Sequence, residues 1–479
     1  MIRIALLGSV LVAALAFACP PAHAQGIPAL ESSGVALIPA GPRGSSSPME
    51  SLVRFGVPAP DSLHAEATFE MAWTRIQDTH YDPEMEGLDW EGVRDELRPL
   101  AAAANSAAEL REVLWAMLDR LGDSHFVLIP RTASDPEAVQ SGSGELGLEV
   151  RWLNQEALVA RVDDVGPARD AGIRPGMLVA ALDGRPFTEI VAQAVGEAAG
   201  EHDLPPDHWF DGLLAAHLRG PVGDRVTLEV VGEDDRAKTV ELEWTAPPGE
   251  VVQFGHLPPF RLQLHDEELH RPELVEPVAL IRFNGWFPQL ASPLAEAVDR
   301  HREAAGMILD LRGNPGGVGG MAMGVSGHFI DERVELGTMT TRENTMRFVV
   351  NPQRIAPDGR RVSPYTGPVA ILLDRGSGST TEIFAGGLQA LERARVFGET
   401  SAGQVLPAVI TELPSGDRLM HAVADFTGPD GVRLEGRGVL PDTEVPLSRA
   451  SLLEGGDPVL EAALRWISSA TPTSNEATP

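Results

Sequence analysis

The stretch Val369-Ala370-Ile371-Leu372-Leu373-Asp374-Arg375-Gly376-Ser377-Gly378-Ser379-Thr380-Thr381-Glu382-Ile383-Phe384-Ala385 decides how the rest of the chain is read. Its apolar start, Val369–Leu373, fits a strand buried on both faces. A Gly/Ser-rich turn follows, and a helix pattern opens with Glu382 in its first turn. A serine at such a strand-to-helix turn is held tightly beside the positive end of the helix. A nucleophilic hydrolase needs that geometry. The same letters also spell an ordinary capping box, Ser/Thr before Glu. Taken alone, the stretch leaves both readings open.

The flanking segments repeat the strand-then-turn pattern. Val278–Phe283 reads as a strand and residues 290–304 as a helix. Residues 306–312 form another apolar run, ending in Gly313-Asn314-Pro315-Gly316-Gly317. Residues 396–398 begin a further strand. Strands alternating with helices point to an α/β core. The turn 313–317 lacks the Gly-Lys-Ser/Thr ending of a phosphate loop. Its backbone amides suit an oxyanion hole instead, because glycine lets the backbone approach a reacting oxygen closely. A tight turn after a strand is the plainer reading of the same residues.

Upstream, Phe69, Ala72, Trp73 and Ile76 fall at helical spacing. Leu88-Asp89-Trp90 opens a second helix, and residues 107–121 carry a wide apolar stripe. This helical region ends in Asp123-Ser124-His125, a polar corner before a strand-like run. Residues 141–144 form a Gly/Ser linker, and strand signals follow at residues 146–152 and 157–162. The polar segment 258–277 reads as a connection. Trp209-Phe210 and Trp286-Phe287 could line a groove, but aromatic pairs more often belong to a core.

Composition narrows the function. The chain has 479 residues and a formal charge of −31, which argues against a nucleic-acid partner. Of 38 basic residues only Lys238 is a lysine. Arg3, the apolar run 4–18 and Ala22-His23-Ala24 form a secretory leader with a small-x-small cleavage site. Cys19, the only cysteine, lies inside it, and Ala16-Phe17-Ala18-Cys19 is a poor lipoprotein signal. The expected location is the periplasm or the exterior, with no stable membrane span. His265 and His270 have no metal-binding pattern around them, and no His-Glu-x-x-His occurs. Neither a metal nor a cofactor is expected.

Several motifs then occur in order: Asp310 to Gly317, Asp374 to Ala385, Gly398-Glu399-Thr400-Ser401-Ala402-Gly403, and Glu435-Gly436-Arg437-Gly438-Val439-Leu440-Pro441-Asp442. Together they resemble the C-terminal-processing (tail-specific) serine protease family. Gly166-Pro167-Ala168, Ala171 to Met177, Val179 to Gly184 and Gly220 to Leu228 resemble a PDZ domain, with an unusually long insertion at residues 187–218. The resemblance implies an α/β fold with a ClpP/crotonase-like core, an N-terminal helical domain and an inserted PDZ-like β-domain. It implies a helical cap at 63–140, the PDZ-like domain at 141–249 and the core at 250–470; the residues outside read as a leader at 1–24, a flexible Gly/Pro/Ser-rich linker at 25–62 and a disordered polar tail at 471–479.

The family's best-known branch pairs its serine with a lysine, and here that position is Gln404. Lys238 lies in the PDZ-like strands, where a solvated surface lysine is the ordinary reading. A histidine is the default alternative base. The chain resembles the tricorn-like branch, which uses a Ser-His-Ser-Glu tetrad with the histidine directly after one serine. Carried over, Ser379 attacks, His125 accepts its proton, Ser124 orients His125, and Glu435 orients Ser124. Arg433 or Arg437 would equally explain Glu435 as an ion-pair partner. The amides of Thr380 and of Gly316 or Gly317 would form the oxyanion hole. Leu146-Gly147-Leu148 would receive a peptide C-terminus by strand addition. The substrate would be a protein or peptide, hydrolysed through an acyl-enzyme. If His125 is the base, activity falls as it protonates below about pH 6–7. Two alternatives stay open: a non-catalytic binding protein, since the retinoid-binding protein of the eye resembles the same core and is not a protease, and a peptide adaptor.

Overall fold

The structure, a computed structural model, describes residues 64–134, 144–198, 207–271, 274 and 276–470. It adds two short paired strands, Ala13–Leu15 and Val35–Leu37. The first falls within the expected leader. The rest of the leader, the remainder of the linker and the tail 471–479 lie outside the described residues.

Val369–Leu373 is buried at every position, as an unbroken apolar run requires. It is central in a six-stranded sheet ordered Leu264–Leu269, Val278–Phe283, Gly306–Asp310, Val369–Leu373, Arg395–Gly398 and Thr443–Glu444. The first strand is antiparallel and the others run parallel. Alternate residues feed two layers. Met307, Leu309, Ile371 and Leu373 face the main core with Ile383, Phe384 and Leu388 of helix Thr380–Ala390. Ile308, Ala370 and Leu372 pack with Ala463, Leu464 and Ile467 of helix Pro458–Ala470. Gly306–Asp310 and Val369–Leu373 are parallel neighbours, so turns 313–317 and 374–379 emerge side by side at their carboxyl ends.

The segment read as a polar connection contains two strands, Phe260–Leu262 and Leu264–Leu269. The second is the sheet's edge. An edge strand can carry charge on its outer face, and Asp266, Glu267 and Glu268 disguise it as a loop. Trp209 and Phe210 lie in the core of a second sheet, and Trp286 and Phe287 in the main core.

Helices Ala65–Thr79, Trp90–Ala103 and Ala107–Asp119 share a core that also takes in Leu406, Leu413, Leu419 and Ala422. Strand Val127–Ile129 then pairs antiparallel with Arg418–Ala422, whose other neighbour is Ala408–Glu412. This pairing carries the helical region's last residues onto the core. Residues 148–243 form an antiparallel sheet ordered Leu148–Leu153, Glu156–Val162, Leu178–Leu182, Arg225–Val231 and Ala237–Glu243. Helices Phe187–Ala198 and Asp207–His217 are inserted before its fourth strand. Among the described residues, no helix is long and apolar enough to cross a membrane.

Candidate active site

Ser379 stands at the junction of Val369–Leu373, its turn and helix Thr380–Ala390, with φ 58° and ψ −120°. A positive φ is uncommon for a residue with a Cβ and persists only where the surroundings enforce it. Here the Ser379 amide donates both to Gln404 O and to Glu382 Oε2, each at 2.9 Å. Glu382 thus makes the reciprocal half of a capping box. Ser379 Oγ sits in capping-box position over the first turn, but it is buried and makes no hydrogen bond. Glu382 is fully buried, and its carboxylate also accepts from Ser401 Oγ at 2.6 Å, Gly403 N at 2.7 Å and Gln404 N at 3.0 Å. Burial pushes its pKa up against these bonds. It locks loop 401–404 against the serine.

A second buried group waits for a partner. His125 is fully enclosed, with φ 65°, and its Nε2 makes no hydrogen bond. Its Nδ1 lies 2.5 Å from Ser124 Oγ, which donates to Glu435 Oε2 at 3.0 Å. Glu435 Oε1 accepts from Ser124 N at 3.0 Å, and Oε2 accepts from Val405 N at 2.7 Å. One peptide group therefore joins the two halves: its carbonyl, on Gln404, meets Ser379, and its N–H, on Val405, meets Glu435. With Glu435 ionised, Ser124 donates to the carboxylate and accepts from Nδ1–H. That fixes the tautomer with a lone pair on Nε2. Burial lowers the His125 pKa well below its ordinary value and raises Glu435 to about 7.

The glycine turn packs directly on this serine. A Cβ on Gly316 (φ 106°) would lie 2.6 Å from Ser379 Cβ, and one on Gly317 (φ 152°) 2.3 Å from Trp286 O. The Gly316 amide is engaged, donating to Asn314 Oδ1 at 3.1 Å. The amides of Gly317 and Thr380 donate to no described residue. Asn314 and Thr381, which sequence reasoning passed over, fasten the two turns together. Gly378 N donates to Asn314 O at 3.0 Å, Thr381 Oγ1 lies 2.9 Å from that same carbonyl, and Trp286 Nε1 donates to Thr381 Oγ1 at 2.9 Å. The available signal was the polar Asn314 inside a glycine turn after a buried strand.

The remaining sequence candidates lie elsewhere. Lys238 is exposed on the second sheet and donates to Ala171 O at 3.4 Å. Arg433 pairs with Asp425 at 3.0 Å, so it is not the partner of Glu435. Leu146, Gly147 and Leu148 lead into the edge strand of the second sheet. There Leu146 O accepts from Ala168 N and Gly147 O from Asp163 N, both at 2.9 Å.

Known proteins bear on this arrangement. The family described as "Peptidase family S41" matches residues 277–445, and "Tricorn protease C1 domain" matches residues 63–119. The carboxyl-terminal-processing protease of Synechocystis sp. is 26% identical over 410 residues, 82% of this chain and 84% of that one. The putative tricorn protease homolog 2 of Streptomyces coelicolor is 27% identical over 424 residues, 86% of this chain but only 33% of that longer protein. The solved photosystem II D1 C-terminal processing protease matches with a TM-score of 0.53 and 18% identity, over 85% of this chain and 98% of that one. At that identity the last likeness speaks for the fold alone.

Proposed function

We propose, from the match of residues 277–445 to peptidase family S41, an exported serine endopeptidase with Ser379 as nucleophile and His125 as general base. One observation carries this reading: Ser379 Oγ and His125 Nε2 are both buried and unpartnered, each at the end of an otherwise complete hydrogen-bond network. Buried polar atoms are normally satisfied, so orphaned ones ask for a functional reason.

In the proposed reaction Ser379 Oγ attacks the substrate carbonyl as His125 Nε2 takes its proton. The new positive charge on the imidazole is stabilised through Ser124 Oγ by the Glu435 carboxylate. The oxyanion is received by the amides of Gly317 and Thr380. The Gly316 amide, already spent on Asn314, shapes the turn instead. His125 then protonates the leaving amine, and water resolves the acyl-enzyme by the same proton route in reverse. The substrate is a protein or peptide. We place the turn that receives a C-terminal carboxylate at Leu146-Gly147-Leu148, in a PDZ-like reading of the second sheet but without strand addition as far as Trp152, whose backbone groups are taken by Asp211 and Arg375. The helical cap and the ClpP/crotonase-like core belong to the same proposal, as does export by the leader.

Turnover of a peptide substrate tests it. Ser379→Ala and His125→Ala should each lower kcat by at least about 10³-fold while the melting curve stays cooperative. A His125→Ala chain with unchanged kcat would remove the histidine from the mechanism.

A further inference from the structure

Strand Leu148–Leu153 is the outer strand of the second sheet, and its free edge is covered by helix Asp207–His217. The cover is specific. Asp211 Oδ1 accepts from the Trp152 amide at 2.7 Å, and the Trp152 carbonyl accepts from Arg375 Nη2 at 2.9 Å. Arg375 also grips Asp211 with two bonds, Nε to Oδ2 at 2.5 Å and Nη2 to Oδ1 at 2.7 Å. Both backbone groups of Trp152 are thus engaged by side chains. One of those side chains belongs to the turn that carries Ser379. Trp152 stacks on Phe210 of the same helix, with centroids 6.0 Å apart. Beside it, Arg151 pairs with Asp374 and lies 3.2 Å from Asp211. Asp374 Oδ1 accepts from Gly313 N at 2.8 Å and Gly376 N at 2.9 Å. The contacts run from the inserted helix, through Arg375 and Asp374, into both glycine turns of the site.

We propose that Asp211 is a positioning residue for Ser379: with Trp152 it fixes Arg375, and so sets the turn on which the nucleophile stands. This rests on the reading of Ser379 as nucleophile. A bidentate Arg–carboxylate pair constrains direction as well as distance. Asp211 and Arg375 are only 14% and 18% exposed, so solvent screens the pair little. The inserted helix is therefore part of the catalytic scaffold, although it touches none of the reacting atoms.

The experiment uses the full chain with a peptide substrate and a fluorophosphonate probe. Asp211→Asn keeps the shape and removes the charge. It should lower kcat and the labelling rate of Ser379 about tenfold, with KM within about twofold. Arg375→Gln should cost a similar factor, and the double variant no more than either single one, because both act through one contact. Equal kcat in Asp211→Asn and the unaltered chain, or losses that multiply in the double variant, would overturn the clamp. Ser379→Ala is run alongside. If it stays active, the nucleophile assignment fails; if it is dead while Asp211→Asn is unaffected, only the clamp fails.

Discussion

Two buried groups, linked to Ser379 through the peptide between Gln404 and Val405, titrate in opposite senses. Loss of water around the charged form holds His125 well below its ordinary value of 6.5 and lifts Glu435 to about 7. His125 is then neutral well below pH 6.5, and the acid limb of activity passes to Glu435. As pH falls through about 7 the Glu435 carboxyl gains a proton. It then donates to Ser124, the Ser124 hydroxyl turns toward Nδ1, and the imidazole proton sits on Nε2, where Ser379 needs a lone pair. kcat/KM should fall on the acid side with an apparent pKa near 7. Glu435→Gln should abolish that limb and cost about 10²-fold on the alkaline plateau. A limb unchanged in Glu435→Gln would return it to the histidine. The sequence points to His125 as the proposed base but not to its burial, and in the proposed mechanism burial moves the limb from one residue to the other. Gly316→Ala supplies a second check. Its Cβ would lie 2.6 Å from Ser379 Cβ and 2.9 Å from Gly378 O, at a φ of 106°. The expected result is activity lost by more than about 10²-fold, with about 1–3 kcal/mol of stability lost to strain.

At the scale of elements, the helical region reaches the site through strand Val127–Ile129, and one ion pair reinforces that docking. Asp417 sits in the turn between Ala408–Glu412 and Arg418–Ala422. Its side chain is 2% exposed and takes two bonds from Arg111, both 2.7 Å, and one from the Arg131 amide at 3.0 Å. Breaking a buried pair by removing one partner leaves the other charge stranded. Asp417→Ala should cost about 3 kcal/mol in denaturant unfolding and slow labelling of Ser379, since the strand that follows His125 loses its anchor. Unchanged stability would show that the strand pairing alone holds the cap. The buried strands Val278–Phe283 and Val369–Leu373 were legible as apolar runs, because a strand covered on both faces has no polar alternation to mislead. The edge strand Leu264–Leu269 was not, because Glu267 and Glu268 face solvent and Asp266 is spent on Arg300 and His301. The hairpin that pairs with the strand after His125 was also missed. Its register depends on tertiary pairing with residues far away in sequence.

Across the whole molecule, histidines are buried in several layers. His421, packed against helix Ala65–Thr79, makes a 3.0 Å contact with Thr79 Oγ1, and burial drives its pKa down to about 3. His328 falls to about 4. In the unfolded chain both titrate near 6.5, so below that pH the folded state binds fewer protons and their contribution to stability is lost as pH falls. Glu435 works the other way: its raised pKa makes the fold less stable as pH rises toward 7. The total is a difference of opposing terms, but one residue can be isolated. His421→Gln should lose about 2 kcal/mol less stability than the unaltered chain between pH 7 and pH 5. Identical losses would mean that His421 stays neutral in both states. The order of motifs from Asp310 to Glu435 makes the family resemblance legible in the sequence alone. The closing of the second sheet's edge by its own inserted helix was not legible, because it depends on where Asp211 meets Arg375.

The most direct test of the account is peptide mapping by mass spectrometry after reaction with a fluorophosphonate at pH 8, for the unaltered chain and for His125→Ala. The account predicts one covalent adduct, on Ser379, formed in stoichiometric yield in the first and at least about 10³-fold more slowly in the second. An adduct on another serine, or equal labelling of Ser379 without His125, would contradict it.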